Sequence, residues 1–150
     1  MHHEGLGIAQ DDKEAVKWWK LAAEKKHVKA LYNLGLAYAQ GKGVPQDNKL
    51  ACECYRLAAE DGNALAQFNL GWMYRNGQGI PQDNKEAIKW YRLAADQGNT
   101  EAQFNLGLMY RRGQGVPKDL NEAVKWYRLA AENGHAGSKT NLNLLKDAFL

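Results

Sequence analysis

Three prolines, Pro45, Pro81 and Pro117, stand 36 residues apart, and the glycine pairs Gly5/Gly7, Gly41/Gly43, Gly77/Gly79 and Gly113/Gly115 keep the same step. A fixed period of this size marks a stacked array, in which no unit can bury its apolar face alone. The unit is clearest from Gly77 to Arg112, and the same step divides the chain into repeats at about 5–40, 41–76, 77–112 and 113–148. The 150 residues therefore read as a single repeat domain. Such an array offers an extended surface, which turns the functional question towards binding.

Each unit reads as loop, helix, turn, helix. The first helix opens at Asp11, Asp47, Asp83 or Asp119, whose carboxylates can cap the orphan amides of the first turn. Glu14, Glu86 and Glu122 follow three residues later and complete a capping-box-like pair, whereas Leu50 leaves the second unit with a weaker cap. The helix ends at Gly62, Gly98 or Gly134, the residue suited to a left-handed terminus, and Lys26 takes that place in the first unit at some cost. His27, Asn63, Asn99 and His135 are the expected caps of the second helices. The expected helices are 10–25, 28–40, 47–60, 64–76, 83–97, 100–112, 119–132 and 137–149.

Apolar residues recur at helical spacing. In the third unit Ala87, Ile88, Tyr91, Ala94 and Ala95 form one face, and Trp90 and Leu93 widen it, as a helix sandwiched between neighbours requires. Gly35, Gly71 and Gly107 lie inside the second helices, where a glycine costs about 1 kcal/mol against alanine. Close approach to Ala15, Ala51, Ala87 and Ala123 is the expected reason. The fourth unit departs from the pattern at Asn143 and Lys146, as a terminal repeat with a more polar outer face would, while Leu144, Leu145, Ala148 and Phe149 are expected to close the core.

Composition narrows the function. The net charge of +3 is spread among interspersed acids and bases, with no basic stripe for nucleic acid. No apolar run approaches the ~20 residues of a membrane span. The opening MHHEGLGIAQ has no signal-peptide core, and the array can be a piece of a longer one, which leaves the compartment open. His2-His3 reads as a tag or loose terminus rather than a metal site. Cys52 and Cys54 diverge by ~200° on one helix, which argues against a disulfide between them, and their periodic counterparts (Val16, Ile88 and Val124; Trp18, Trp90 and Trp126) are apolar. No nucleophile–base spacing, phosphate-binding loop, zinc-protease or dinucleotide motif is present, so no enzyme activity, cofactor or metal is expected.

The combination GxGxPxDxxEAxxWYxxAAxxGxxxAxxNLGxMY resembles the Sel1-like repeat, a branch of the tetratricopeptide superfamily, over nearly the whole chain. The resemblance implies an all-α, right-handed solenoid of about four helical hairpins, eight helices in all, with a concave face. It also implies an adaptor or scaffold that binds protein or peptide, and it points to bacteria as the common source. A related cysteine-rich bacterial branch is associated with penicillin binding and slow β-lactam hydrolysis, but it staples each repeat with a cysteine pair that this chain lacks. A purely architectural spacer, or a designed or truncated array, is the other alternative.

In tetratricopeptide relatives the helix matching NLGxxY lines the groove. That mapping places Tyr32, Phe68 and Phe104, then Asn33, Asn69 and Asn105, then Leu36, Trp72 and Leu108 on the groove, with Arg75, Arg111 and Arg112 finishing the face. An asparagine amide offers donors and an acceptor together and can read a peptide backbone, or it can serve a neighbouring helix. The arginines offer paired donors to carboxylates, or they sit at helix ends that favour cations. Trp18, Trp90 and Trp126 share a periodic position and are expected to pack between units, whereas nothing periodic demands Trp72. The expected partner is a protein or peptide segment, acidic or carboxylate-bearing if the arginines serve it. The chain itself is expected to be a monomer or a weak end-to-end oligomer.

Overall fold

The computed structural model describes the backbone of residues 4–149 and the side chains of residues 11–145. His2 and His3, and the side chains of Lys146, Ala148 and Phe149, lie outside the described residues. Among the described residues there are eight helices and no strand: α1 Glu4–Glu24, α2 Val28–Gln40, α3 Asn48–Glu60, α4 Ala64–Asn76, α5 Asn84–Asp96, α6 Thr100–Arg112, α7 Leu120–Glu132 and α8 Ala136–Phe149. The substantial packing joins each helix to the next in sequence, as an all-α solenoid of hairpins requires.

The loops end as the composition dictates. Gly62, Gly98 and Gly134 take φ of 95°, 93° and 89°, and Lys26 occupies the same left-handed place at 59°. Asp83 accepts from the amides of Lys85 and Glu86, and Asp119 from those of Asn121 and Glu122. Asp47 accepts from Leu50 alone, the weaker cap expected of that unit. The reciprocal arm of the capping box is replaced, because the amides of Asp47, Asp83 and Asp119 donate at 2.9 Å to the carbonyls of Tyr38, Tyr74 and Tyr110 in the preceding helix. The side chains of His27, Asn63, Asn99 and His135 cap the second helices, each accepting from the amide three residues on.

Three expectations are corrected. The first helix starts at Glu4, not near residue 10, and runs through Gly5, Gly7 and Asp11. Ala9 stands where Pro45, Pro81 and Pro117 stand in later units, so nothing there removes an amide or blocks the helix. Trp18 is 64% exposed, whereas Trp90 and Trp126 are buried. Trp90 sits among Ala58, Ala59 and Leu70 of the preceding unit, and no described hairpin precedes α1 to cover Trp18. Leu144 is exposed, while Leu145 and Leu142 close the core.

The mid-helix glycines receive a ring, not an alanine. A Cβ on Gly35 would lie 2.7 Å from the Tyr55 ring, on Gly71 2.8 Å from Tyr91, and on Gly107 2.5 Å from Tyr127. Each tyrosine, almost wholly buried, wedges into the notch that the missing side chain leaves. At Gly71 the Ala87 carbonyl oxygen is also close, 3.3 Å from the position a Cβ would take.

Candidate functional site

The second helices α2, α4 and α6 carry the candidate residues. Tyr32, Phe68 and Phe104 are half-buried, and their rings pack at 5.9, 5.7 and 5.9 Å, tilted, on Tyr55, Tyr91 and Tyr127 of the following helix. Phe104 also stacks on His135 at 4.4 Å. These half-buried aromatics join helix to helix.

The asparagines behave differently from one unit to the next. Asn105 Oδ1 accepts from Arg75 Nη1 at 3.1 Å, so an arginine of α4 reaches across to α6. The same guanidinium lies beside the buried Tyr91 hydroxyl. Burial pushes that phenol up to about 12, and the Arg75 charge opposes the rise. Tyr127 repeats the arrangement: burial raises its phenol, opposed by Arg111 and by Asn141, the periodic equivalent of Asn105. Tyr55 is raised as well, first by burial, with Asn69 opposing. The three phenols are thus kept as neutral hydroxyls. Asn33 is half-buried on α2.

One position breaks this sequence of junctions. Ala39 stands where Arg75 and Arg111 stand in the next two units. A cavity of about 280 Å³ lies there between α2 and α4, lined by Leu36, Ala39, Tyr55, Asn69, Trp72 and Gln78. Trp72, 43% exposed, stands at its edge. The structure thus brings Asn69 and Trp72 to one cavity and ties Arg75 to Asn105. Arg111 sits by Tyr127, and Arg112 is an exposed cation at the end of α6.

Sequence reasoning missed Gln67 and Gln103, which are buried polar residues at one periodic position. Gln67 Nε2 donates to the Ala59 carbonyl at 3.1 Å, and its Oε1 accepts from Gln97 Nε2 at 2.8 Å. Gln103 Nε2 donates to Ala95 at 3.2 Å, and its Oε1 accepts from Asn133 at 3.3 Å. Their recurrence amid apolar neighbours was the available signal.

Cys52 and Cys54 are free thiols, both pushed up to about 11 chiefly by burial, so neither is an activated nucleophile. Among the described residues no group of three or more His, Cys, Asp and Glu is placed to hold a metal ion. No helix there is long and apolar enough to cross a membrane.

Stacked helical hairpins with buried glycine–tyrosine joints and an open face define a helical-repeat interaction domain. The Sel1 repeat family model matches residues 1–27, 28–63, 64–99 and 100–135, and the chain belongs to that family. Its repeats generally mediate protein–protein interaction, and the family is mostly non-enzymatic. The chain is 42% identical to c5321, a protective antigen of uropathogenic Escherichia coli with this fold, over 89% of this chain and 29% of that one, with a TM-score of 0.87. It is 40% identical to a Sel1 repeat protein from Oxalobacter formigenes, over 93% of this chain and 57% of that one, with a TM-score of 0.82. The cysteine-rich protein B of Helicobacter pylori shares the fold at 24% identity and a TM-score of 0.69, over 90% and 97% of the two chains. This chain thus spans under two thirds of the length of the first two structures. The comparison with curated proteins found no match.

Proposed function

We propose that this chain is a scaffold whose second helices form a concave groove for an extended or helical segment of a partner protein. Trp72 carries the reading. It is a large indole 43% exposed on a helix whose periodic equivalents hold leucine, and it borders a cavity with an amide and a phenol inside. Tryptophan is enriched among the few residues that carry most of the binding energy at protein interfaces. Asn33, Asn69 and Asn105 supply donors and acceptors for a backbone, although Asn105 must share its oxygen with Arg75. Tyr32, Phe68 and Phe104 supply apolar edges. Arg75, Arg111 and Arg112 favour acidic groups on the partner, with Arg112 the most open of the three.

The test uses Trp72→Ala/Arg112→Ala, two exposed positions whose removal leaves the joints intact. A partner captured from the source cells and then purified should bind this folded variant at least about tenfold more weakly, the loss of a single hot spot. Equal affinity for wild type and variant places binding on another surface and sinks the reading.

A further inference from the structure

The array supplies a template for what its own cavity can hold. At the α4/α6 junction the guanidinium of Arg75 reaches from one helix to the other, bonded to Asn105 at 3.1 Å and lying beside the Tyr91 hydroxyl. At the next junction Arg111 holds the equivalent position and lies near Tyr127. At the α2/α4 junction the receiving groups are all present. Asn69 is the equivalent of Asn105 and Asn141, and Tyr55 the equivalent of Tyr91 and Tyr127. The arginine is missing, because Ala39 stands in its position, and about 280 Å³ of open cavity remains.

We propose that this cavity is a binding site for an arginine side chain of the partner segment, which enters where the chain's own arginine lies at the two later junctions. The inference rests on the scaffold reading above and names the chemistry of its anchor. The Asn69 amide oxygen would accept from the guanidinium, as Asn105 does from Arg75. The Tyr55 ring lines the same cavity, and its hydroxyl offers a further acceptor. Trp72 replaces a leucine at the edge of the cavity, and indole is the best aromatic face for a cation. The planar fork of a guanidinium can meet an amide and a phenol together while it stacks, which a lysine ammonium, a compact point charge, cannot do. Arg75 and Arg111 stand at the equivalent position of the two later junctions, so the site belongs to this one.

The probe is Nα-acetyl-arginine amide at millimolar concentration, titrated into the full chain and followed by NMR through the Asn69 side-chain amide and the Trp72 indole N–H. Both signals should move on saturation, and Nα-acetyl-lysine amide should bind at least about tenfold more weakly, since charge-assisted forked contacts are lost. Ala39→Arg should fill the site from within and abolish the shifts without unfolding the array. Asn69→Leu is the second variant and should also lose the probe. Unshifted signals, equal binding of the lysine probe, or unchanged binding to Ala39→Arg each overturn the proposal. A purified partner that depends on Trp72 yet binds Ala39→Arg as well as wild type overturns this inference and leaves the scaffold standing. Probe binding with no dependence of any partner on this face supports the site and overturns the scaffold reading.

Discussion

Tyr91 is lodged against Gly71, its ring 2.8 Å from where a β-carbon would stand, and the ring is wholly buried. Gly71→Ala gains about 1 kcal/mol in helix propensity. Against that, the new methyl must displace a ring that has no free direction, an overpacking of typically 1–3 kcal/mol. The clash wins, so the variant should melt at lower temperature and lower denaturant concentration. Gly107→Ala, at 2.5 Å from Tyr127, should cost at least as much. Urea titration of both variants checks the order.

The bond from Arg75 to Asn105 ties the second helices of adjacent units. Replacing either partner by alanine should destabilise the array, and the double variant should lose less than the sum. A coupling of about 1 kcal/mol is expected for a partly exposed, charge-assisted bond. A double-mutant cycle measures it, and additivity within error would show that Asn105 is free for a ligand.

Lys26 is the one non-glycine at positive φ among the described residues, at 59°. Later units place glycine there. Lys26→Gly should raise stability by about 1 kcal/mol, because relief of the left-handed strain outweighs the extra freedom of the unfolded chain. Thermal melts of the two proteins decide it, with no change expected in any binding on the α4 and α6 surface.

The buried phenols set an alkaline limit. Tyr91 ionises near 10 when unfolded and near 12 when folded, so the folded chain holds its proton more tightly. Stability from this group is intact below pH 10 and is lost as pH rises towards 12. The difference corresponds to a loss on the order of 2–3 kcal/mol. Tyr91→Phe should flatten that decline and cost little at neutral pH, because the hydroxyl oxygen has no hydrogen-bond partner. Denaturant midpoints measured across that pH range provide the check.

The period of 36 made the hairpins, the caps and most of the core legible, because loop glycines and capping residues act locally. The partner of Gly35, Gly71 and Gly107 was not legible. Alignment of units shows that a small residue recurs, but it does not say that a tyrosine from the following helix fills the gap. Trp18 misled for the opposite reason, since its periodic place is buried at Trp90 and Trp126 by the hairpin described before each. On the candidate face, Trp72 stood out as a break in the pattern. The equally informative break at Ala39 did not, because an alanine marks a space only once its neighbours are in place.

Tyr55, Tyr91 and Tyr127 seat in three equivalent notches, so the joints between units are copies of one another. The molecule is in this sense a ruler, whose graduations are set by a ring and a missing methyl group. The glycine–tyrosine joint repeats at each mark, while the side chains around it differ where one unit departs from the text. On the scaffold reading proposed above, a partner that crosses two marks is expected to carry its anchors at the same pitch.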